Sequence, residues 1–225
     1  MEDKTNTVEL EENKITFIMC VNNERYLQEN IKYLDRLNIP EGYSVEIITV
    51  DDAKSMCEGY NRAMCSSDAK YKIYMHQDVF IVNPNFLIDC LEIFKDDSVG
   101  MIGMVGSLKK PDYSVMWYGK RCGGLYSSGV NKSGKAKLEE VIIGKYAECF
   151  SVDGLLMMTS ADVPWMEDIF NGWDFYDISH SQDMKRAGKK VVVPKQDVPW
   201  CLHDDGIVNL ARYFDYRERF ENEYI

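Results

Sequence analysis

Three times in its first hundred residues this sequence repeats one pattern: a short run rich in β-branched residues, a polar group at its carboxyl end, then a segment with helical spacing. "KITFIMCVNN" ends in Asn22 and Asn23 and leads into "ERYLQENIKYLDRLNIPEGY", where Tyr26, Leu27, Ile31, Leu34 and Leu37 lie on one helical face until Pro40. "SVEIITVDD" ends in Asp51 and Asp52 and leads into "AKSMCEGYNRAMCSSDA". "KYKIYMHQDVFI", residues 70–81, reads as a third strand carrying His76, Gln77 and Asp78, and "NPNFLIDCLEIFKDD" follows with Asn83 or Asn85 near the helix start. Strand and helix alternating in this way predict parallel strands joined by right-handed crossovers. At 225 residues the chain is sized for one α/β domain with a single organised core.

Beyond residue 100 the pattern loosens. "VGMIGMVGSL" reads as a strand punctuated by glycine, and the Gly-, Ser- and Lys-rich stretch 109–140 as loops with a short hairpin. Further strands are expected within "VIIGKYAECFSVDGLLMMTSADV" and "VVVPKQ", a helix in "SHSQDMKRAGKK" closed by Gly188, and an amphipathic helix at the end of the chain. That last helix, with Phe214, Tyr216 and Phe220 among charges, packs on the domain, on a second copy of the chain or, less in keeping with its charges, on a membrane surface.

A net charge of −11 argues against nucleic acid as a partner, because that mode of binding needs clustered Lys and Arg to replace counterions. An acidic protein still binds phosphate when a metal ion supplies the positive charge. Seven cysteines without CxxC spacing indicate neither a zinc ribbon nor a closed disulfide framework, and free thiols predict a cytoplasmic setting. The acidic start "MEDKTNTVELEENK" has no apolar h-region, and no run is long enough to span a bilayer.

In an open α/β sheet, ligands bind beyond the carboxyl ends of the strands. Asn22 to Glu24, Asp51 and Asp52, and His76 to Asp78 would all lie along that edge. Polar groups in a buried strand cost a few kcal/mol unless satisfied, so the third group points to a ligand. The first two loops suit hydrogen bonds to a nucleoside, and the third suits a carboxylate on a metal bound to phosphates. No G-x-G-x-x-G or Walker sequence follows any of these strands, which disfavours dinucleotide binding and P-loop chemistry.

The ordered set "NNE", "DD", the helix with Tyr60 and Asn61, and "HQD" resembles the donor-binding half of family-2-like glycosyltransferases of the GT-A fold. In that family an aspartate-x-aspartate motif ends the third strand; here His76 stands at the first position and Asp78 at the second. "SVDGLLMMTS", with Asp153 and Gly154, is similar to the family's glycine-containing segment over the sugar. "FYDISHSQDMKRAGKKV" is similar to its glutamate-aspartate motif, with Asp177 at the catalytic base and Tyr176 in place of the glutamate, and "WCLHDDG" places His203 at a C-terminal metal ligand.

The resemblance covers most of residues 14–206. It implies a single Rossmann-like, three-layer α/β/α domain with a mostly parallel sheet, divided into a nucleotide-binding half (14–106), an acceptor and catalytic half (107–206) and the terminal helix (207–225). It implies transfer from a nucleotide-diphosphate sugar, with Asn22, Glu24, Asp51, Asn61, His76, Gln77, Asp153 and Gly154 at the donor and Asp78 and His203 on Mn2+ or Mg2+. The acceptor would be a glycan or a lipid-linked acceptor, as in polysaccharide biosynthesis, and the configuration would invert.

Several roles stay open at this stage. His76 ligates the metal, hydrogen-bonds a phosphate or packs; Asp177 is a base or a helix cap, or both; Asp52 caps the second helix. Asp51 as a hydrogen-bond acceptor would select a base that offers a donor, such as uracil. An aspartate base is expected to need no large pKa shift to be ionised at neutral pH. Ser179 and Asp183 depart from the family pattern, and with His76 they support the alternative of a non-catalytic nucleotide-sugar-binding regulatory or scaffold protein.

Overall fold

The computed structural model describes residues 9–128, 140–204 and 210–225. Part of the predicted loop stretch (129–139) and the junction before the last helix (205–209) therefore lie outside the described residues. The expected alternation is present as β1 (Glu11–Cys20), α1 (Glu24–Leu34), β2 (Ser44–Val50), α2 (Met56–Ser66) and β3 (Ala69–Met75). Next come β4 (Val79–Ile81), α3 (Phe86–Phe94), β5 (Val99–Gly103) and β6 (Val105–Ser107). After two 3-10 turns follow β7 (Arg121–Gly123), β8 (Tyr126–Ser127), β9 (Tyr146–Glu148), β10 (Ser151–Val152) and β11 (Leu156–Thr159). The described chain closes with α4 (Tyr176–Arg186), β12 (Lys190–Pro194), β13 (Cys201–His203) and α5 (Tyr213–Tyr224).

The central sheet has seven strands in the order β2-β1-β3-β11-β5-β12-β9. β1 pairs in parallel with β2 and β3, and β5 with β12, while β11 and β9 run against their neighbours, so the sheet is mostly parallel. Residues of β1 alternate between its faces: Ile15, Phe17 and Met19 join Leu34 of α1 and Phe86, Leu87 and Cys90 of α3, whereas Ile18 joins α2, α4 and α5 through Tyr60, Ile178 and Phe220. Helices on both faces make the three-layer α/β/α arrangement. From β1 the chain moves outward to β2 and then crosses back to β3, so the crevice between β1 and β3 is a topological switch point.

The structure corrects two strand expectations. Residues 70–81 are not one strand: β3 ends at Met75, His76 to Asp78 form a turn with the Val79 N–H donating to the His76 carbonyl at 3.2 Å, and β4 leaves for a separate sheet, β4-β13-β8. The residues after the turn are apolar because β4 is fully buried in that second sheet. Residues 99–108 likewise split at Met104, β6 joining a third sheet with β10 and β7.

Helix starts also differ from expectation. Ser55, not Asp52, caps α2, its Oγ accepting the Glu58 N–H at 3.1 Å. Asp52 instead pairs with Arg62 across the first turns of that helix. The helix α4 begins at Tyr176, earlier than "SHSQ", and ends as expected at Gly188, whose φ of 79° favours glycine. In α5, Tyr216 and Phe220 are buried against the chain's own domain.

Candidate active site

The ends of β1, β2 and β3 reach one level, since Ile18 pairs with both Ile48 and Tyr74. Asn22, Glu24 and Asp51 emerge there as exposed side chains. Gln77 closes the crevice from the β3 side: its Oε1 accepts the N–H groups of Asn22 (3.0 Å) and Asn23 (2.9 Å), and its Nε2 donates to Asn22 Oδ1 at 2.6 Å. Beneath it, the buried Asn30 of α1 donates to the carbonyls of Gln77 (3.2 Å) and Val79 (2.8 Å). Sequence reasoning missed Asn30, although a polar residue between Leu27 and Leu34 on the apolar stripe of α1 was the signal.

Antiparallel pairing of β4 with β13 sets Val79 opposite His203, which carries His203 to Asp78. His203 Nε2 lies 3.5 Å from Asp78 Oδ1, and the His76 and His203 rings are 5.6 Å apart. One ligand atom from each of His76, Asp78 and His203 falls within 4.8 Å of the others. Burial alone would raise the Asp78 pKa, but the hydrogen bond and charge of His203, with His76, bring it below the usual carboxylate value. The next residue, Asp204, is held by the Tyr26 hydroxyl at 3.1 Å and by Ser128.

Asp177 opens α4 on the opposite wall. Its Oδ2 accepts the Gly154 N–H at 3.0 Å and its Oδ1 the Ile178 N–H at 2.8 Å. Burial, with the like charge of Asp153 added, pushes its pKa up to about 7 against the pull of those N–H donors. The Asp177 carboxyl is therefore not the unshifted aspartate that the sequence alone suggests. Asp153 Oδ1 accepts the Leu155 N–H at 3.1 Å, and the Leu155 carbonyl takes the His76 N–H at 3.0 Å, so the 153–155 loop links the Asp177 wall to the Asp78 turn.

A cavity of about 40 Å³ opens onto Asp177, lined also by Trp117, Phe175 and Tyr213; it holds a water or so, not a sugar ring. Trp117 stacks on Tyr213 (6.4 Å, 24°) at its mouth. Ser114 and Phe175, two of the three non-glycine residues with positive φ among the described residues, line this cavity, and backbone strain commonly marks function. A larger cleft of about 880 Å³ lies elsewhere, between α3 and residues 194–200, at the far end of the β4-β13 pair from Asp78.

Other predicted positions serve packing. Both ends of the Asn61 amide are bound to the main chain of Trp165 (2.8 Å each way), with Glu167 Oε2 at 2.9 Å, so it staples α2 to that loop. Asp183 turns to α5, taking the Tyr224 hydroxyl at 2.9 Å, and Ser179 bonds back to the Tyr176 carbonyl. Of the aromatic residues with sugar-stacking potential, Trp165, Phe175 and Tyr176 are buried, whereas Trp117 and Trp173 remain about half exposed.

The profile of the family described as "Glycosyltransferase like family" matches residues 16–224, nearly the whole chain. The chain belongs to that glycosyltransferase family. Its fold is GT-A, shared with several solved structures at low sequence identity. S. aureus TarS 1–349 in complex with UDP-GlcNAc is similar with a TM-score of 0.55 and 10% identity, over 88% of this chain and 60% of that one. The mannosyltransferase PcManGT from Pyrobaculum calidifontis, in complex with GDP-Man and Mn2+, gives 0.52 and 11% over 93% and 61%. GalNAc-T7 with UDP, GalNAc and Mn2+ gives 0.60 and 7% over 93% and 48%. This glycosyltransferase thus spans about half to three fifths of the length of those chains. No curated protein matches it in sequence. No helix among its described residues is long and apolar enough to cross a membrane.

Proposed function

We propose that this glycosyltransferase moves a sugar from a UDP-sugar to an acceptor hydroxyl, with inversion, using a divalent ion held by Asp78 and His203 and Asp177 as the base. The observation that carries the reading is the convergence, across the 153–155 loop, of a half-buried His-Asp-His cluster and a carboxyl group whose pKa is pushed up to about 7. A base is most effective with a pKa near the working pH, and Asp177 would take the proton from the acceptor hydroxyl as it attacks. The donor set of the cluster, imidazole nitrogens and an ionised carboxylate, fits a divalent cation. When bound, the ion offsets the charge that develops on the departing diphosphate. Asn22, Glu24 and Asp51 on the open rim face the nucleoside, Asp51 taking a ring N–H such as that of uracil. Asp153 and Gly154 face the donor sugar, and Trp117 offers the acceptor an aromatic face.

Calorimetric titration with UDP and with GDP, with and without Mn2+, tests the reading. UDP is expected to bind in a Mn2+-dependent way and more tightly than GDP, and Asp78→Ala to weaken it by roughly 100-fold, or about 2.8 kcal/mol. UDP binding that ignores both Mn2+ and the Asp78 substitution would contradict the proposal.

A further inference from the structure

We propose that His76 is the third protein ligand of the ion, through Nδ1, with Tyr176 as the residue that holds it in that role, so that the site prefers first-row transition ions to Mg2+. The inference rests on the metal-dependent reading above and adds the ligand set and its selectivity.

Two contacts orient His76. Its backbone N–H donates to the Leu155 carbonyl at 3.0 Å, which fixes the turn. Its Nε2 sits 2.5 Å from the Tyr176 hydroxyl oxygen. With Nε2 on the phenol, Nδ1 is the nitrogen left for a cation, and ligation there selects the tautomer whose Nε2–H donates to the phenol oxygen. A metal-binding histidine characteristically hands its other ring N–H to a carboxylate, a carbonyl or water, which sets ring orientation and tautomer, and the phenol oxygen takes that place here.

Tyr176 is itself tightly placed. It is buried at the start of α4, its ring edge-on to Tyr60 at 6.0 Å. Gly154 leaves it room: a Cβ at that position would fall 2.2 Å from the Tyr176 hydroxyl oxygen, so any side chain there would drive the phenol off His76. The glycine beside the base and the tyrosine before it therefore serve the ion cluster as well as Asp177. His203 completes the set beside Asp78. Two imidazole nitrogens and one carboxylate suit first-row transition ions, Co2+ more strongly than Mn2+, whereas Mg2+ favours an oxygen shell with retained water.

The test is calorimetry with Mn2+, Co2+ and Mg2+, each alone and with UDP, on the wild-type protein, Tyr176→Phe and His76→Asp, with pulsed electron paramagnetic resonance on Mn2+ bound to the wild type. Tyr176→Phe is expected to weaken Mn2+ by roughly 10–100-fold. His76→Asp should narrow the preference for Mn2+ and Co2+ over Mg2+, and the resonance spectrum should show coupling to two histidine nitrogens. The spectrum needs no variant, so misfolding of Tyr176→Phe leaves the proposal testable. Coupling to fewer than two nitrogens, or equal wild-type affinity for Mn2+ and Mg2+, overturns it. Wild-type protein that binds Mn2+ through two histidines yet binds no UDP would support this inference and sink the nucleotide-sugar reading instead.

Discussion

Replacing Asp177 with Asn should cut sugar transfer by roughly 10²–10⁴-fold while UDP affinity stays within a few-fold of wild type. The carboxyl group touches the Gly154 and Ile178 N–H groups and not the Asp78 cluster, so its loss should leave the ion and diphosphate in place. The wild-type kcat/KM should rise with pH through about 7, as the carboxyl held protonated by burial and by Asp153 becomes the carboxylate that accepts a proton. Stability should move the other way. An acid whose pKa is higher in the folded than in the unfolded chain binds more protons when folded, here between about pH 4 and pH 7. Folding stability from this group is therefore full below about pH 4 and lost as pH rises through 7. The loss is roughly 4 kcal/mol at most, and Asp177→Asn should flatten that slope. Steady-state kinetics and chemical denaturation at pH 5, 7 and 8 check both. A fall in UDP affinity as large as the fall in turnover would make Asp177 a structural prop of the donor site. Wild-type protein that binds UDP-sugars but never releases UDP from them would favour a binding role over transfer.

How far the sequence reveals this site depends on which contacts leave a periodic trace. The first three strand-helix units do, because each needs its own apolar pattern, and the polar groups at their ends mark the edge where Asn22, Asp51 and Asp78 now stand. The change of sheets at His76 to Asp78 leaves none: Ile73 to Met75 and Val79 to Ile81 are equally buried, so a turn between two sheets reads like one long strand. The hand-over of Asp52 from capping to Arg62 is invisible for a related reason, since Ser55 and Asp52 are both ordinary cap residues and only three-dimensional reach decides between them. The raised pKa of Asp177 depends on its burial in the folded domain and on Asp153, 24 positions away in sequence, neither of which a local pattern encodes. Tyr176 was legible only as a departure from a family motif, and its partner His76, 100 positions away, is what gives that departure a physical reason.

Asp162→Ala is expected to destabilise the fold by about 2–3 kcal/mol, because it takes the charged partner from a buried ammonium group on the side that faces solvent. Lys72, in the middle of β3, has no exposed surface, and its Nζ donates to the Ala69 carbonyl at 2.7 Å and to Asp162 Oδ2 at 2.9 Å. Removing Asp162 leaves the cation one carbonyl and no counter-charge. For a domain of this size such a loss lowers Tm by roughly 5–10 °C. Lys72→Met in the same background should recover most of it, since an apolar side chain of similar volume needs no partner. Thermal and urea denaturation of the two single variants and the double variant separate the pairwise contribution from each deletion. Activity is the informative control. Lys72 pairs in register with Thr16 and Thr159 and bonds Ala69 and Asp162 rather than the turn at His76, so protein that remains folded should keep wild-type UDP affinity and turnover. A loss of turnover without a loss of stability in Asp162→Ala would mean that the pair sets the level at which β3 delivers His76 and Asp78, and that the site depends on the whole strand and not only on its turn.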